Sequence, residues 1–250
     1  MSLSPLIGKS LLTLNLSRNR LIDLSVLQYL TKLRELHLAY NYIESSQFDY
    51  LNYLKSLEII DISHNHLKEQ RIIDIIENMS KLRIFINNMN DYSRIVFTKN
   101  SPNLQQIYLE GNSLSILEFH RPKPALGILS IKGNHLVEIV GLKNLENLEH
   151  INCNHNSLIN LAWLRNSSNI KIINAESNEL HSFTPNQLPY IEILNLSNNK
   201  LQTMDFLAYC PYLKSLIFSG NKLECLPRFN NIFPSLIFLD LSYYFNRTSL

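Results

Sequence analysis

The stretch Leu11-Leu12-Thr13-Leu14-Asn15-Leu16-Ser17-Arg18-Asn19-Arg20-Leu21 decides the fold, because its pattern recurs along the whole chain. Most units carry apolar residues at their first, fourth, sixth and eleventh positions, and ten carry asparagine at the ninth. The ninth-position asparagines are Asn19, Asn41, Asn65, Asn90, Asn112, Asn134, Asn156, Asn178, Asn199 and Asn221, with Tyr244 in an eleventh unit. Successive ninth positions lie 21 to 25 residues apart. This period indicates one strand and one return segment per solenoid turn.

The spacing within a unit predicts which side chains face the core. A strand has a period of two, so the fourth and sixth residues, such as Leu14 and Leu16, point inward and their neighbours point outward. An inward asparagine after the strand can bond to backbone groups that the bend leaves unpaired, which leucine cannot do. The ten asparagines are therefore predicted to form a structural ladder rather than a set of ligands.

The units resemble the leucine-rich-repeat family. After Asn19 the apolar residues advance in steps of three through Leu21, Leu24, Leu27 and Leu30, a spacing that suits 3₁₀ turns better than a full α-helix. This resembles the 22-residue class typified by the protein phosphatase-1 regulatory subunit. The resemblance implies an α/β, right-handed solenoid of about eleven units, with a parallel sheet on the concave face. Its convex face is expected to carry 3₁₀, short helical or extended returns.

Three return segments depart from the regular step. The unit between Asn65 and Asn90 is 25 residues long and places four isoleucines and a methionine in 72–79 at helical spacing, so we expect an α-helix there. Segment 120–124 contains two prolines, which disfavour a helix and predict an extended return. Segment 184–186 shortens its unit to 21 residues, measured between Asn178 and Asn199.

A single leucine-rich-repeat domain is predicted over residues 1–250. Its parts are a partial N-terminal cap over 1–10, repeats over 11–244 and a short tail over 245–250. Because few residues follow the last unit, its strand edge is expected to be poorly covered. Tyr243, Tyr244 and Phe245 either fold back over that edge or mark a site of edge association with another chain.

Composition restricts the class of protein. The formal net charge is only +2, which gives no basic stripe for direct nucleic-acid binding. Three cysteines, Cys153, Cys210 and Cys225, do not form a disulfide framework, and the first residues lack a secretory signal. No apolar run reaches the roughly 20 residues that span a bilayer, so no membrane association is expected. The predicted location is the cytoplasm, with the nucleus, or a host cytosol for a bacterial effector, as alternatives.

Candidate partner-binding residues lie at or beside the outward strand positions of the sheet. Isoleucine is frequent there, and five residues in units three to six would form an apolar patch of the kind that marks partner sites. The alternative is ordinary β-branched packing between neighbouring strands. The predicted patch consists of Ile59, Ile84, Ile86, Tyr108 and Ile128, and it is flanked by His37, Asp61, His64, His150 and Ile172.

The sequence predicts no enzyme and no cofactor. It contains no glycine-rich phosphate loop, no G-x-S-x-G elbow and no H-E-x-x-H pair. His37, Asp61 and His64 have the side-chain types of metal ligands. Asp61 and His64, however, lie three positions apart on one strand and should not converge, so no metal site is predicted.

The leading hypothesis is a non-catalytic scaffold or adaptor that binds a protein or peptide on its concave face. A regulatory or targeting subunit of a serine/threonine phosphatase is an alternative, because Arg94-Ile95-Val96-Phe97 matches the short docking pattern of such enzymes. Ile95, however, falls at a predicted buried step, so docking would require that turn to open. Two further alternatives are an assembly component of a ribonucleoprotein and a bacterial effector that binds a host protein.

Overall fold

The computed structural model describes residues 3–142, 145–164, 167–184, 188–226 and 235–243. Within these ranges thirteen short strands follow one another along the chain. They are β1 (Thr13–Asn15), β2 (Glu35–His37), β3 (Ile59–Asp61), β4 (Ile84–Ile86), β5 (Arg94–Phe97), β6 (Gln106–Tyr108), β7 (Ile116–Phe119), β8 (Ile128–Ser130), β9 (His150–Asn152), β10 (Ile172–Asn174), β11 (Ile193–Asn195), β12 (Ser215–Ile217) and β13 (Phe238–Asp240).

Eleven of these strands form one parallel sheet in the order β1-β2-β3-β4-β6-β8-β9-β10-β11-β12-β13. Each strand covers the third to fifth positions of its unit and pairs without a register shift, as Thr13 opposite Glu35 shows. The central residue of each strand points into the core because side chains alternate along a strand. Equivalent positions of successive units therefore lie side by side, and the predicted solenoid is confirmed.

The return segments differ from turn to turn, as the sequence predicts. An α-helix, α1 (Gln70–Glu77), occupies the longest unit and buries Ile72, Ile73 and Ile76. The expected helix after Asn65 is thus confirmed. The 3₁₀ helices among the described residues are Ser4–Leu6, Ser25–Tyr29, Ser45–Tyr53, Ala162–Leu164 and Asp205–Tyr209.

Beside α1, two returns are extended and form a second sheet on the convex side. Strands β5 and β7 pair in parallel, and Glu118 of β7 bridges onward to Val140. The rings of Phe97 and Phe119 stack with centroids 4.9 Å apart inside this sheet. The prolines of segment 120–124 follow β7 directly, so the predicted extended return is confirmed.

The ends of the solenoid differ in how well their core is covered. Within the predicted N-terminal cap, Leu3 is buried, whereas Ile7 is half exposed. In the last unit Leu239 is 37% exposed, although Leu216 at the same position one turn earlier is fully buried. Leu239 is thus less well covered than its equivalent one turn earlier. Tyr243 is 75% exposed, and the prediction for Tyr244, Phe245 and the tail 245–250 lies outside the described residues.

The ninth-position asparagines connect each turn to the one before it. The amide nitrogen of Asn134 donates to the carbonyls of Ile131 in its own turn (2.8 Å) and Leu109 in the preceding turn (3.0 Å). Its amide oxygen accepts the backbone N–H of Leu114 at 3.0 Å. The same inter-turn donation is made by Asn41, Asn65, Asn90, Asn112, Asn156, Asn178, Asn199 and Asn221. Asn19, in the first unit, donates to carbonyls of its own turn.

A buried ion pair joins the helix to the convex sheet. Glu77, at the end of α1, accepts the backbone N–H groups of Thr98 (2.8 Å) and Lys99 (3.0 Å). Lys123 lies 3.2 Å from the Glu77 carboxylate and also donates to the carbonyl of Lys99, and both charged side chains are fully buried. Burial lowers the pKa of Lys123, and the charge of Glu77 opposes that shift. Glu77 and Lys123 therefore link three successive turns through one buried polar centre.

Replacing a ladder asparagine should destabilise the fold far more than replacing an outward asparagine. In Asn134→Leu, the backbone N–H of Leu114 loses its partner, and the carbonyls of Leu109 and Ile131 each lose one of two amide donors. An unsatisfied buried group costs about 1–3 kcal/mol. We expect a loss of about 2–4 kcal/mol in the free energy of unfolding, measured by urea denaturation. The matched control Asn174→Leu, on the outward side of β10, should change it by less than about 0.5 kcal/mol. Equal effects would contradict the ladder.

Removing one partner of the buried ion pair should be costly, and removing both should recover part of the loss. Lys123→Met leaves the Glu77 carboxylate buried without its cation, which typically costs about 3–5 kcal/mol. A double-mutant cycle with Glu77→Gln should give a coupling energy of at least about 1 kcal/mol. The exposed pair Lys171 and Glu149, 2.8 Å apart, is the control and should couple by less than about 1 kcal/mol. Equal coupling in the two cycles would argue against the buried centre.

Candidate functional site

The outward positions of the long sheet form two continuous rows. At the third position of each unit, Ile59 lies opposite Ile84, Ile84 opposite Gln106, and Gln106 opposite Ile128. Neighbouring parallel strands are about 4.8 Å apart, so these side chains touch along the row. A partner lying along this row would contact one third-position residue from each turn.

The five predicted patch residues all lie on this face and are partly exposed. Ile59, Ile84 and Ile86 adjoin each other, and Ile86 lies opposite Tyr108. Ile128 is separated from them by a polar side chain, since Gln106 stands between Ile84 and Ile128.

The Tyr108 hydroxyl donates to the Gln106 side chain at 3.0 Å, so a polar pair crosses the patch. Burial, followed by the nearby charge of Glu110, raises the pKa of Tyr108. The patch is therefore apolar at β3 and β4 and mixed at β6, rather than uniformly apolar as its sequence suggests.

The predicted flanking residues take three different places. His37 and Asp61 lie opposite each other at the fifth position of β2 and β3. The Asp61 carboxylate accepts the backbone N–H of Ser63 at 3.0 Å. His150 and Ile172 pair in the third-position row, on the far side of Ile128. His64 lies beyond the end of β3, on the rim of the sheet.

His64 belongs to a stack that crosses three turns. Its imidazole lies parallel to the Tyr40 ring, with centroids 3.8 Å apart and planes 13° apart. On the other side of Tyr40, the guanidinium of Arg18 from the preceding turn lies 4.4 Å from the ring centroid. This distance is within the range of a cation–π contact. Burial lowers the pKa of His64; the charge of Asp61 opposes this shift, while Arg18 and His66 add to it.

The left-handed backbone explains why these side chains stand on the rim. The eighth residue of a unit, just before the ladder asparagine, has positive φ, with values of 59°, 59° and 54° at Arg18, Tyr40 and His64. Later units place Gly111 and Gly133 at the same position, where glycine adopts this conformation without steric cost. The direction of the eighth side chain is set by this bend and not by the alternation of the strand.

Two features of the surface are missed by the sequence prediction. Ile193, in the third-position row on β11, is 38% exposed and extends the apolar row beyond Ile172. The rim stack of Arg18, Tyr40 and His64 is also missed, since only His64 of the three is a predicted site residue. The sequence does indicate this stack, because the first three units carry large residues at the eighth position.

The described residues do not assemble the groups of an active site or metal centre. Cys153 and Cys210 are buried, and burial raises the pKa of each thiol to about 12, so neither forms a thiolate at neutral pH. No three His, Cys, Asp or Glu side chains come together to hold a metal within those ranges. Nor does that part of the chain contain a helix with the length and apolar character needed to cross a membrane.

Comparison with known proteins identifies the repeat and the fold. The Leucine Rich Repeat family model matches residues 56–79, about one unit. No sequence among curated proteins matches the chain. A leucine-rich-repeat protein of Leptospira interrogans superimposes with a TM-score of 0.84 at 20% identity, over 97% of this chain and 64% of that one.

Two other solved structures show the same likeness. YopM from Yersinia enterocolitica gives a TM-score of 0.75 at 22% identity, over 96% of this chain and 48% of YopM. The complex of LRIM1 and APL1C gives 0.65 at 19% identity, over 87% of this chain and 45% of the matched chain. This chain therefore spans less than two thirds of each of the three. The repeated units, the eleven-stranded parallel sheet and these likenesses together show that the chain forms a leucine-rich-repeat solenoid.

Proposed function

We propose that the chain is a non-catalytic scaffold that binds a protein or peptide partner on its concave face. The observation that carries this proposal is the register of the long sheet, which aligns five partly exposed isoleucines in one row that Gln106 and His150 interrupt. The five are Ile59, Ile84, Ile128, Ile172 and Ile193. Exposed apolar rows on a rigid support are typical of partner sites. The backbone beneath them is fixed by parallel pairing and by the asparagine ladder.

The area of the face agrees with a protein partner. Eleven strands at about 4.8 Å spacing make an arc of roughly 50 Å, and a width of about 10 Å gives some 500 Å² before side-chain relief. A standard interface buries about 800 Å² on each partner. The concave face together with one rim reaches that area.

Known structures with this fold support a macromolecular partner. LRIM1 was solved in complex with APL1C, so one structural neighbour binds another protein. The 3₁₀ returns and the six 22-residue spacings between ladder asparagines also support our assignment of the units to the 22-residue class. That class is typified by the phosphatase regulatory subunit.

A phosphatase-targeting role receives less support from the structure. Arg94-Ile95-Val96-Phe97 forms β5 and is paired along its length with β7. Ile95 and Phe97 are fully buried. This segment cannot dock in an enzyme groove unless the convex sheet opens.

The concave patch is tested by placing charge on it. We expect Ile84→Glu/Ile128→Glu to weaken capture of the partner at least about tenfold, because the two carboxylates must be desolvated in an apolar contact. The measurement is affinity capture from a lysate of the source organism, after circular dichroism shows that the variant is folded.

The matched control for the patch is Ile22→Glu/Ile159→Glu. Both isoleucines are exposed on return segments, away from the long sheet, and the substitution adds the same charge. Partners should be retained by this control and lost by the patch variant. If the patch variant retains every partner that the wild type captures, the isoleucines are ordinary sheet residues and the proposal is wrong.

The salt dependence of binding separates a protein partner from a ribonucleoprotein contact made through phosphates. An interface centred on the isoleucine row should lose less than about tenfold in affinity between 50 and 200 mM salt, since few ions are released. Neutralisation of six to ten phosphates would instead cost about 10³–10⁵-fold over that range. A loss of that size, measured by titration of the captured partner, would favour the ribonucleoprotein alternative.

A further inference from the structure

A groove on the rim of the long sheet lies outside the isoleucine row. It is formed by the eighth and tenth residues of the first three units, together with the ladder residues Asn19 and Asn41. Its volume is about 640 Å³, enough for a ligand with one ring and one charged group. The non-ladder residues that line it are Arg18, Arg20, Tyr40, Tyr42, His64 and His66.

The aromatic side chains of the groove include a preformed stack. Tyr40 lies between Arg18, at 4.4 Å from its centroid, and His64, at 3.8 Å. Tyr42 is beside this stack, 64% exposed, and its ring is free to contact a planar ligand. The groove therefore combines fixed rings with an open one.

The charges of the groove are unlike those of the opposite rim. At the second position of the units, before each strand, Arg34 lies 3.6 Å and Arg83 3.8 Å from Glu58. Lysine and glutamate pair farther along the same row, in the pairs Lys171 with Glu149 and Lys214 with Glu192. That rim neutralises its own charge.

In the groove, two arginines lack such partners. Among the described residues, no carboxylate lies within ion-pair distance of Arg18 or Arg20. The acidic groups nearby face the histidines instead: Asp91 lies 3.3 Å from His66, and Asp61 acts on His64. Two guanidinium groups are thus available to an incoming anion at one end of the groove.

The backbone of the groove is also strained. Arg18, Tyr40, His64 and His66 all have φ between 54° and 59°, a region that disfavours residues with a Cβ. At the eighth position the bend belongs to the repeat, since Met89, His155, Ser177 and Asn198 of later units have φ between 50° and 54°. Glycine at Gly133 adopts the same bend on a later turn. Large side chains are therefore kept on this rim against a local conformational cost.

We propose that this rim groove binds an oxyanion carried on an aromatic ring, with Arg18 and Arg20 holding the phosphate or carboxylate and the exposed Tyr42 contacting the ring. Guanidinium groups bind both oxyanions through paired N–H donors. The exposed Tyr42 ring supplies a face for offset stacking with a flat group. The site is separate from the concave patch, and its ligand binds without any macromolecular partner.

The test measures binding of phenyl phosphate and benzoate to the full chain by NMR titration of the His64 and His66 imidazole signals. Inorganic phosphate supplies the charge without the ring, and phenol supplies the ring without the charge. The better of the two ring oxyanions should bind about 3- to 10-fold tighter than inorganic phosphate, and phenol should not bind measurably. Tighter binding of phenyl phosphate identifies a phosphate ligand, and tighter binding of benzoate identifies a carboxylate ligand.

Arginine variants decide whether the groove itself is responsible. Arg18→Gln and Arg20→Gln should each weaken ring-oxyanion binding at least about threefold. The control Arg34→Gln, on the neutralised rim, should leave it unchanged.

The inference is overturned if neither ring oxyanion shifts the histidine signals at about 10 mM, if phenol binds equally well, or if Arg34→Gln has the same effect as the groove variants. Because the probes are small molecules, such a result leaves the proposed concave interface standing.

Discussion

The solenoid depends on one constraint, which is that every turn must bend its backbone directly after a buried strand. The bend leaves N–H and C=O groups inside the core, where an unpaired group is costly. Asn178 shows the solution: its nitrogen donates to carbonyls of Cys153 and Ala175, and its oxygen accepts the N–H of Leu158. Since each ladder amide after Asn19 binds two turns, neighbouring turns satisfy their backbone groups jointly, and stability is shared between them.

The ladder fixes the strand side of each turn and leaves the return segment free to vary. Within the described ranges the chain uses that freedom for 3₁₀ turns, one α-helix and two convex strands. A change from helix to strand again exposes backbone groups, and leucine packing cannot satisfy them. Glu77 accepts the N–H groups of Thr98 and Lys99, while Lys123 binds the Lys99 carbonyl. A buried charge pair at this junction therefore follows from the same requirement as the asparagine ladder.

The sequence predicts the features that recur in successive units and does not predict those that occur once. Strand rows, α1 and the extended return follow from residue periodicity, as for Ile72 within its helix. Asn87 breaks the pattern: it occupies an inward apolar position, is fully buried and accepts a bond from Asn90 at 2.6 Å. The pairing of Glu77 with Lys123 spans 46 residues and has no periodic signal. The rim groove was missed because positive φ turns its side chains away from the strand rows.

The two outward regions share the third turn of the solenoid. Ile59 of the concave row and His64 of the groove belong to the same turn, five residues apart. An apolar row on a repeating scaffold gives contact area but little direction, because successive turns present similar side chains. An anion site fixed at one end removes that ambiguity, since charged contacts set register and orientation more than affinity. The opposite rim neutralises its own charge and cannot orient a partner in this way. The unpaired arginines therefore distinguish one end of the concave face from the other, which its isoleucines do not.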